Sequence, residues 1–233
     1  MPYTSSAIKV IKNKWEVGKS DELAWWREYL VTKGLQWPED YRNRLNSQEP
    51  LQDYVIQCLD AAEATVALLD VGAGPMTFLG KRWQGRTVHI TAVDPLASQY
   101  DQLLTEFGIA PSIRTQPGES EHLLDCFPPN YFDLVHMRNA LDHSYDPVLG
   151  LQQMLGVVKA GCYVLLAHHV NEGEKGNYAG LHQWNLCVDN NNLVIWNSHT
   201  QVCVNDALGD SAQVTASVDG DWVWVRLRKR TLQ

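Results

Sequence analysis

The run Val66-Ala67-Leu68-Leu69-Asp70-Val71-Gly72-Ala73-Gly74-Pro75 is a short apolar stretch ending in Asp-x-Gly-x-Gly. Glycines in a strand-to-helix turn let a ligand lie close to the backbone, beside the N–H groups of the helix that follows, an arrangement suited to a nucleotide. Asp94 stands twenty positions after Gly74, at the end of the next apolar run, Thr87 to Val93. A carboxylate there can accept hydrogen bonds from both hydroxyls of a ribose. In a third loop, Gly118-Glu119-Ser120, Glu119 can accept from an exocyclic amino group and the Ser120 N–H can donate to a ring nitrogen. Together these groups describe an adenosine site. A dinucleotide fingerprint would require glycine at position 77, where Thr77 stands, so a dehydrogenase is disfavoured.

The elements that must position these groups are read from periodicity. A helix is predicted from Ser20 or Asp21, as N-cap, to Gly34, broken by Trp37-Pro38, with a second from about Leu51 to Ala64. Strands then alternate with helices: strand Val66 to Val71, helix Thr77 to Trp83, strand Thr87 to Val93, helix Ala97 to Phe107, strand Ser112 to Thr115 and a short helix Glu121 to Leu124. Strand Tyr131 to Met137, helix Pro147 to Val158 and strand Gly161 to Ala167 continue the pattern. Two hairpins follow, one turning at Asp189 to Asn192 and one at Asp219-Gly220. The expected architecture is α/β: a Rossmann-like open mixed sheet, mostly parallel with an antiparallel C-terminal edge, helices on both faces and an N-terminal helical cap. One domain is expected over 1–233, with 1–50 as cap or lid and 51–233 as core, carrying a hairpin insert at about 184–198.

On these motifs the chain resembles the class I S-adenosylmethionine (SAM)-dependent methyltransferases. Leu69-Asp70-Val71-Gly72-Ala73-Gly74 matches the family's first motif, Ala92-Val93-Asp94 its ribose motif, Pro117-Gly118-Glu119-Ser120-Glu121-His122-Leu123 its adenine loop, and Phe132-Asp133-Leu134-Val135-His136 its fourth strand. Met76 departs from it, since many members carry a third glycine there. The resemblance implies SAM as cofactor and S-adenosylhomocysteine as product. It also implies that Asp70, Gly72 and Gly74 hold the methionine end, Asp94 the ribose, and Glu119 and Ser120 the adenine, with Pro95, Gly118 and Arg138 beside them.

Methyl transfer from a sulfonium is an in-line displacement, so alignment and exclusion of water supply much of the rate, and a base helps when the acceptor must lose a proton. Residues beyond the fourth and fifth strands open into the same crevice. Of these, Asn139, His143 and His168 are the candidates for catalysis, with Asp142 or Asn139 able to orient His143. Trp25, Trp26, Tyr29, His169, His182 and Trp184 are expected to contact substrate, although residues at the helical spacing of Trp25, Trp26 and Tyr29 more often face a core than a ligand. No His-Glu-x-x-His or cysteine-rich spacing occurs, and no metal is expected.

Composition bounds the partners. The 233 residues carry a formal charge of -8, and the one basic cluster, Arg226 to Arg230, reads as a solvated edge, so nucleic acid is not an expected partner. Five cysteines without a Cys-x-x-Cys pair read as reduced thiols. No segment approaches the ~20 apolar residues of a membrane span, and a cytoplasmic protein without membrane contact is expected. The expected activity is methylation of oxygen or nitrogen on a small molecule, such as a natural-product intermediate or sugar. The alternatives are a protein or carrier-bound substrate, or a non-catalytic SAM-binding scaffold. Oligomeric state is not legible.

Overall fold

The computed structural model describes residues 5–231. The N-terminal helices are α1 (Ser5–Val31), α2 (Pro38–Leu45) and α3 (Asp53–Ile56). Then come β1 (Thr65–Val71), β2 (Thr87–Asp94), α4 (Ala97–Glu106), β3 (Thr115–Pro117), a 3-10 turn at Ser120–His122, α5 (Leu123–Cys126) and β4 (Phe132–Arg138). A 3-10 turn at Leu141–His143 leads to α6 (Pro147–Val157), β5 (Val158–His169) and α7 (Glu172–Lys175). The chain closes with β6 (Asn185–Asp189), β7 (Asn192–Trp196), β8 (Gln201–Cys203), α8 (Val204–Leu208), β9 (Ala212–Asp219) and β10 (Trp222–Lys229).

Seven strands form one sheet in the order β3-β2-β1-β4-β5-β10-β9. The first five are parallel, and β10 runs antiparallel to both β5 and β9. The order reverses between β1 and β4, where a crevice opens outside the strand ends. This is the expected Rossmann-like mixed sheet. Alternation along each strand sends successive side chains to opposite faces. One face gathers Leu69, Val135, Val164 and Val225 with Leu151 and Met154 of α6, Leu186 and Ile195 of the second sheet, and Leu208 of α8. On the other, Val66, Leu68, Leu134 and Leu165 meet Leu51, Val55 and Leu79. The predicted hairpin insert is present and gains β8, giving a three-stranded antiparallel sheet. Its turn places Asn190 and Asn191 at φ 47° and 64°, where asparagine is tolerated.

Four expected elements differ. The N-terminal helix does not start at Ser20 but runs unbroken through it, because Ser20 Oγ donates back to Val17 O 3.0 Å away instead of capping. The helix from Leu51 to Ala64 shrinks to α3, since Leu51 N is drawn off to Arg82 O and Pro50 bridges Arg82. β3 begins at Thr115, three residues later than expected. Most consequential, Thr77 to Trp83 is not helical. Gly80 lies under the Pro50 carbonyl, where a methyl group would come within 1.8 Å of the oxygen. The polar groups of this stretch are satisfied by side chains: Gln52 Nε2 donates to Phe78 O, Gly80 N to Gln52 Oε1, and Leu79 N to Thr77 Oγ1.

Candidate functional site

A cavity of about 860 Å³ opens over the carboxyl ends of β1, β2 and β4. Asp70, Gly72, Gly74, Asp94, Pro95, Gly118, Glu119, Ser120 and Arg138, the residues expected to hold a cofactor, all line it. So do Asn139, His143, His169, His182, Trp25, Trp26 and Tyr29, whereas His168 and Trp184 do not. His168 is buried at 1% exposure with neither ring nitrogen hydrogen-bonded, and burial holds its pKa down at about 4, so it is a neutral core imidazole and not an accessible base. Trp184 is fully buried in the main core, where its Nε1 donates to Ser144 O at 2.8 Å. It braces the wall from behind and does not line the cavity.

The cradle turn is built from backbone. Gly72 N and Ala73 N donate to Val93 O, and Gly72 and Gly74 sit at φ 67° and 64°, the left-handed region that favours glycine. Protein occupies the space beside them: a methyl on Gly72 would meet Ala140 Cβ at 2.3 Å, and one on Gly74 the Trp26 ring at 2.4 Å. Gly74→Ala is therefore expected to force the Trp26 indole off the turn, adding a steric displacement to roughly 1–2 kcal/mol of left-handed strain. Thermal unfolding reads the stability loss, and a titration with SAM reads the accompanying fall in affinity.

Because no helix follows the turn, the helix N-terminus expected to face the ligand is absent, and side chains supply the positive charge. Arg138 is clamped over Phe78, 3.8 Å from the ring centroid, and over Trp222 at 4.7 Å. Among the described residues its guanidinium meets no hydrogen-bond acceptor, and burial followed by the neighbouring Arg44 charge lowers its pKa. Arg44 donates to Met76 O at 2.6 Å and to Asp40 Oδ2 at 2.7 Å, and Tyr29 OH donates to the same Asp40 oxygen at 2.7 Å. This chain of bonds ties the aromatic cap to the cradle.

Asp94 is buried, its Oδ2 accepting from Gly74 N at 3.1 Å and its Oδ1 from Leu96 N at 2.9 Å. Burial pushes its carboxyl up to about 7, outweighing those two bonds, and the Glu22 charge acts in the same direction as burial. Gly118 N donates to Asp94 O, anchoring the third loop beside it. There Glu119 Oε2 accepts from Tyr145 OH at 3.2 Å, and Ser120 Oγ donates to the buried Glu121 at 2.7 Å. Asp70 accepts from Thr77 Oγ1 at 2.6 Å and meets His136 Nδ1 at 2.7 Å, while His136 Nε2 meets Tyr54 OH at 2.9 Å. This support behind Asp70 was not legible in the sequence, because His136 comes into register with it only once β1 and β4 pair, and Tyr54 reaches His136 from α3.

At the wall after β4, Asn139 spends its carbonyl on His169 N at 3.0 Å and fastens this loop to β5. Asp142 is buried, and His182 Nδ1 lies 2.7 Å from its Oδ2 and 3.2 Å from His143 Nε2. Although burial opposes it, the facing His143 and His182 hold the Asp142 carboxyl at about 2. His169 Nδ1 lies 3.3 Å from Asp221 Oδ2, and its ring packs on Trp222. Overhead, Trp26 and Tyr29 are buried in the cap's own core with Tyr100 and Leu104, while Trp25 is exposed at the rim, so the cap residues serve core and lining together. Gly18 of α1 rests against the Gly180 carbonyl, so that helix and the loop before β6 meet over the cavity.

Compared with known proteins, residues 69–166 match the family model described as a methyltransferase domain. No curated protein matches the chain by sequence. Among solved structures, a Haloferax volcanii complex of the Trm112 methyltransferase activator with a methyltransferase superposes with a TM-score of 0.58 at 11% identity, covering 91% of this chain and 98% of the other. The CurJ carbon methyltransferase gives 0.52 at 12% identity, covering 76% of this chain and 51% of that one. At these identities the likeness establishes the fold. No helix among the described residues is long and apolar enough to cross a membrane.

Proposed function

We propose that this chain, whose residues 69–166 match a methyltransferase domain and lie on a Rossmann-like fold, transfers the methyl group of SAM to an oxygen or nitrogen of a small molecule held under the aromatic cap. The observation that carries this reading is the joint placement, around one cavity, of Asp94, the Glu119 loop, the free guanidinium of Arg138 and the cap residues Trp25, Trp26 and Tyr29. A volume of about 860 Å³ falls in the upper part of the ~300–1,000 Å³ range of small-molecule sites, enough for a cofactor and a modest acceptor together.

The residues fit the cofactor's chemistry. Asp94 retains lone pairs for ribose hydroxyls, Glu119 and Ser120 line the same cavity and would meet the adenine, and the clamped Arg138 offers its donors to a carboxylate. When bound, SAM supplies an electrophilic methyl group on a sulfonium. The chain's contribution is to align the acceptor, shield the cavity with α1 and the Gly180 loop, and receive the acceptor's proton. His143, which lines the cavity beside Asp142 and His182, is the candidate to receive that proton.

Ribose binding favours the ionised Asp94. Its raised pKa of about 7 means that the free protein holds a proton there below neutrality, so SAM affinity is expected to fall as pH drops through about 7 and to level off above it. Calorimetric titrations from about pH 5.5 to about pH 8.5 check this, and Asp94→Asn should flatten the curve. For the reaction itself, the protein is incubated with methyl-labelled SAM and a metabolite extract. A labelled small-molecule product with S-adenosylhomocysteine supports the reading. Label only on protein, or none, overturns the small-molecule assignment.

A further inference from the structure

We propose that Asp142, His143 and His182 form a binding site for a divalent transition-metal ion of the zinc class in the wall of the cavity. One ligand atom from each, Asp142 Oδ2, His143 Nε2 and His182 Nδ1, lies within 4.8 Å of the other two. The three separations are 2.7 Å, 3.2 Å and 3.6 Å. A tetrahedral ion with ligands at about 2.0–2.1 Å requires edges of about 3.3 Å, so the His182–Asp142 edge must open by about 0.6 Å and the other two change by about 0.3 Å or less. Two imidazoles and one carboxylate are a donor set for zinc or iron(II) and not for magnesium or calcium, which take oxygen.

Proton placement favours the same conclusion. Only one hydrogen fits between three atoms facing a common point. With it on His182 Nδ1 and donated to Asp142, the lone pair of His143 Nε2 points at the donor already in use. A cation at that point gives all three lone pairs a partner at once. The other nitrogen of His143 lies 4.0 Å from Glu22 Oε2, on the side where a ligating histidine ordinarily meets a carboxylate. No lysine or arginine forms an ion pair with Asp142 among the described residues, so its charge faces imidazoles, those of His143 and His182 in contact and that of His168 behind them. The site escapes sequence reading because His182 is forty positions from Asp142 and reaches it only when Gln183 N bonds to Asp142 O.

All three residues line the cavity, which leaves the remaining coordination positions to an acceptor. Resting on the methyltransferase reading, the ion's role is that of a Lewis acid. An acceptor hydroxyl bound to it loses its proton to water, and the oxygen pair forms the new bond to the methyl carbon. The carbon–sulfur bond breaks as its pair stays on sulfur, giving the neutral thioether. With the ion in place His143 is a ligand, and solvent water takes the proton.

The test is a titration of metal-stripped protein with zinc chloride and, separately, cobalt(II) chloride, with SAM binding measured on the same sample. The expected result is one zinc per chain, a cobalt spectrum of low coordination number, and a loss of zinc affinity of at least about tenfold to a hundredfold in His182→Ala and in Asp142→Asn. Thermal unfolding of each variant is read alongside, so that a loss of zinc affinity counts only on folded protein, and His182→Gln, which keeps a side chain of similar size against Asp142, is carried as a second variant at that position. SAM binding without zinc or cobalt binding overturns the metal site and leaves His143 as base. Zinc binding unchanged in both variants also overturns it. A folded protein that binds the metal at these residues but not SAM upholds the site and sinks the methyltransferase reading instead.

Discussion

Asp94→Ala is expected to weaken SAM binding by at least about a hundredfold, because two hydrogen bonds to a charged acceptor at ~1.5–3 kcal/mol each are lost. The carboxylate has a second role, since it accepts from Gly74 N and Leu96 N and so holds the cradle turn against the start of α4. Alanine strands both N–H groups in a buried place, and part of the loss is therefore a collapse of the turn itself. Asp94→Asn separates the two effects. Its amide oxygen preserves one backbone bond but removes the charge, so it should unfold closer to the wild-type temperature than alanine while still binding SAM poorly. Equal SAM affinity in wild type and Asp94→Asn, with both folded, would remove Asp94 from the cofactor site.

Trp184→Ala should be the most destabilising single change, at about 3–5 kcal/mol, which lowers the unfolding temperature of a chain this size by roughly 10 °C. The indole is fully buried between the main sheet and the three-stranded sheet, and its N–H holds Ser144 O. Removing it leaves a large cavity and an unpaired carbonyl directly behind the Asp142–His143 wall. Thermal and denaturant unfolding measure the loss. If Trp184 touched substrate as its sequence position suggested, the variant would instead keep its stability and lose acceptor affinity alone.

The strands were legible because each is a short apolar run bounded by turn residues, and β1, β2, β4, β5 and both hairpins fall where expected within a residue or a few. That Asp-x-Gly-x-Gly and the later Asp94 lie side by side at the cavity was legible for a related reason, since the pairing of β1 with β2 brings them together. Helices were less readable. Leu51 to Ala64 and Thr77 to Trp83 carry helical spacing, but their backbone groups are taken by each other and by Gln52, a competition that only tertiary packing decides. Contacts between distant stretches were invisible. The Tyr54–His136–Asp70 series, the bond from Arg44 to Met76 O and the meeting of His182 with Asp142 each join segments whose adjacency no local pattern encodes.

The proposed function rests on SAM being held in this cavity, oriented by Asp94 and Arg138. It is tested most directly by equilibrium titration of the purified wild-type protein with SAM, S-adenosylhomocysteine and NAD in parallel, with Arg138→Ala alongside. The expected result is one SAM per chain, competition by S-adenosylhomocysteine, no response to NAD and weaker SAM binding in the variant. A folded protein that binds NAD, or that gives no response to SAM, would contradict it.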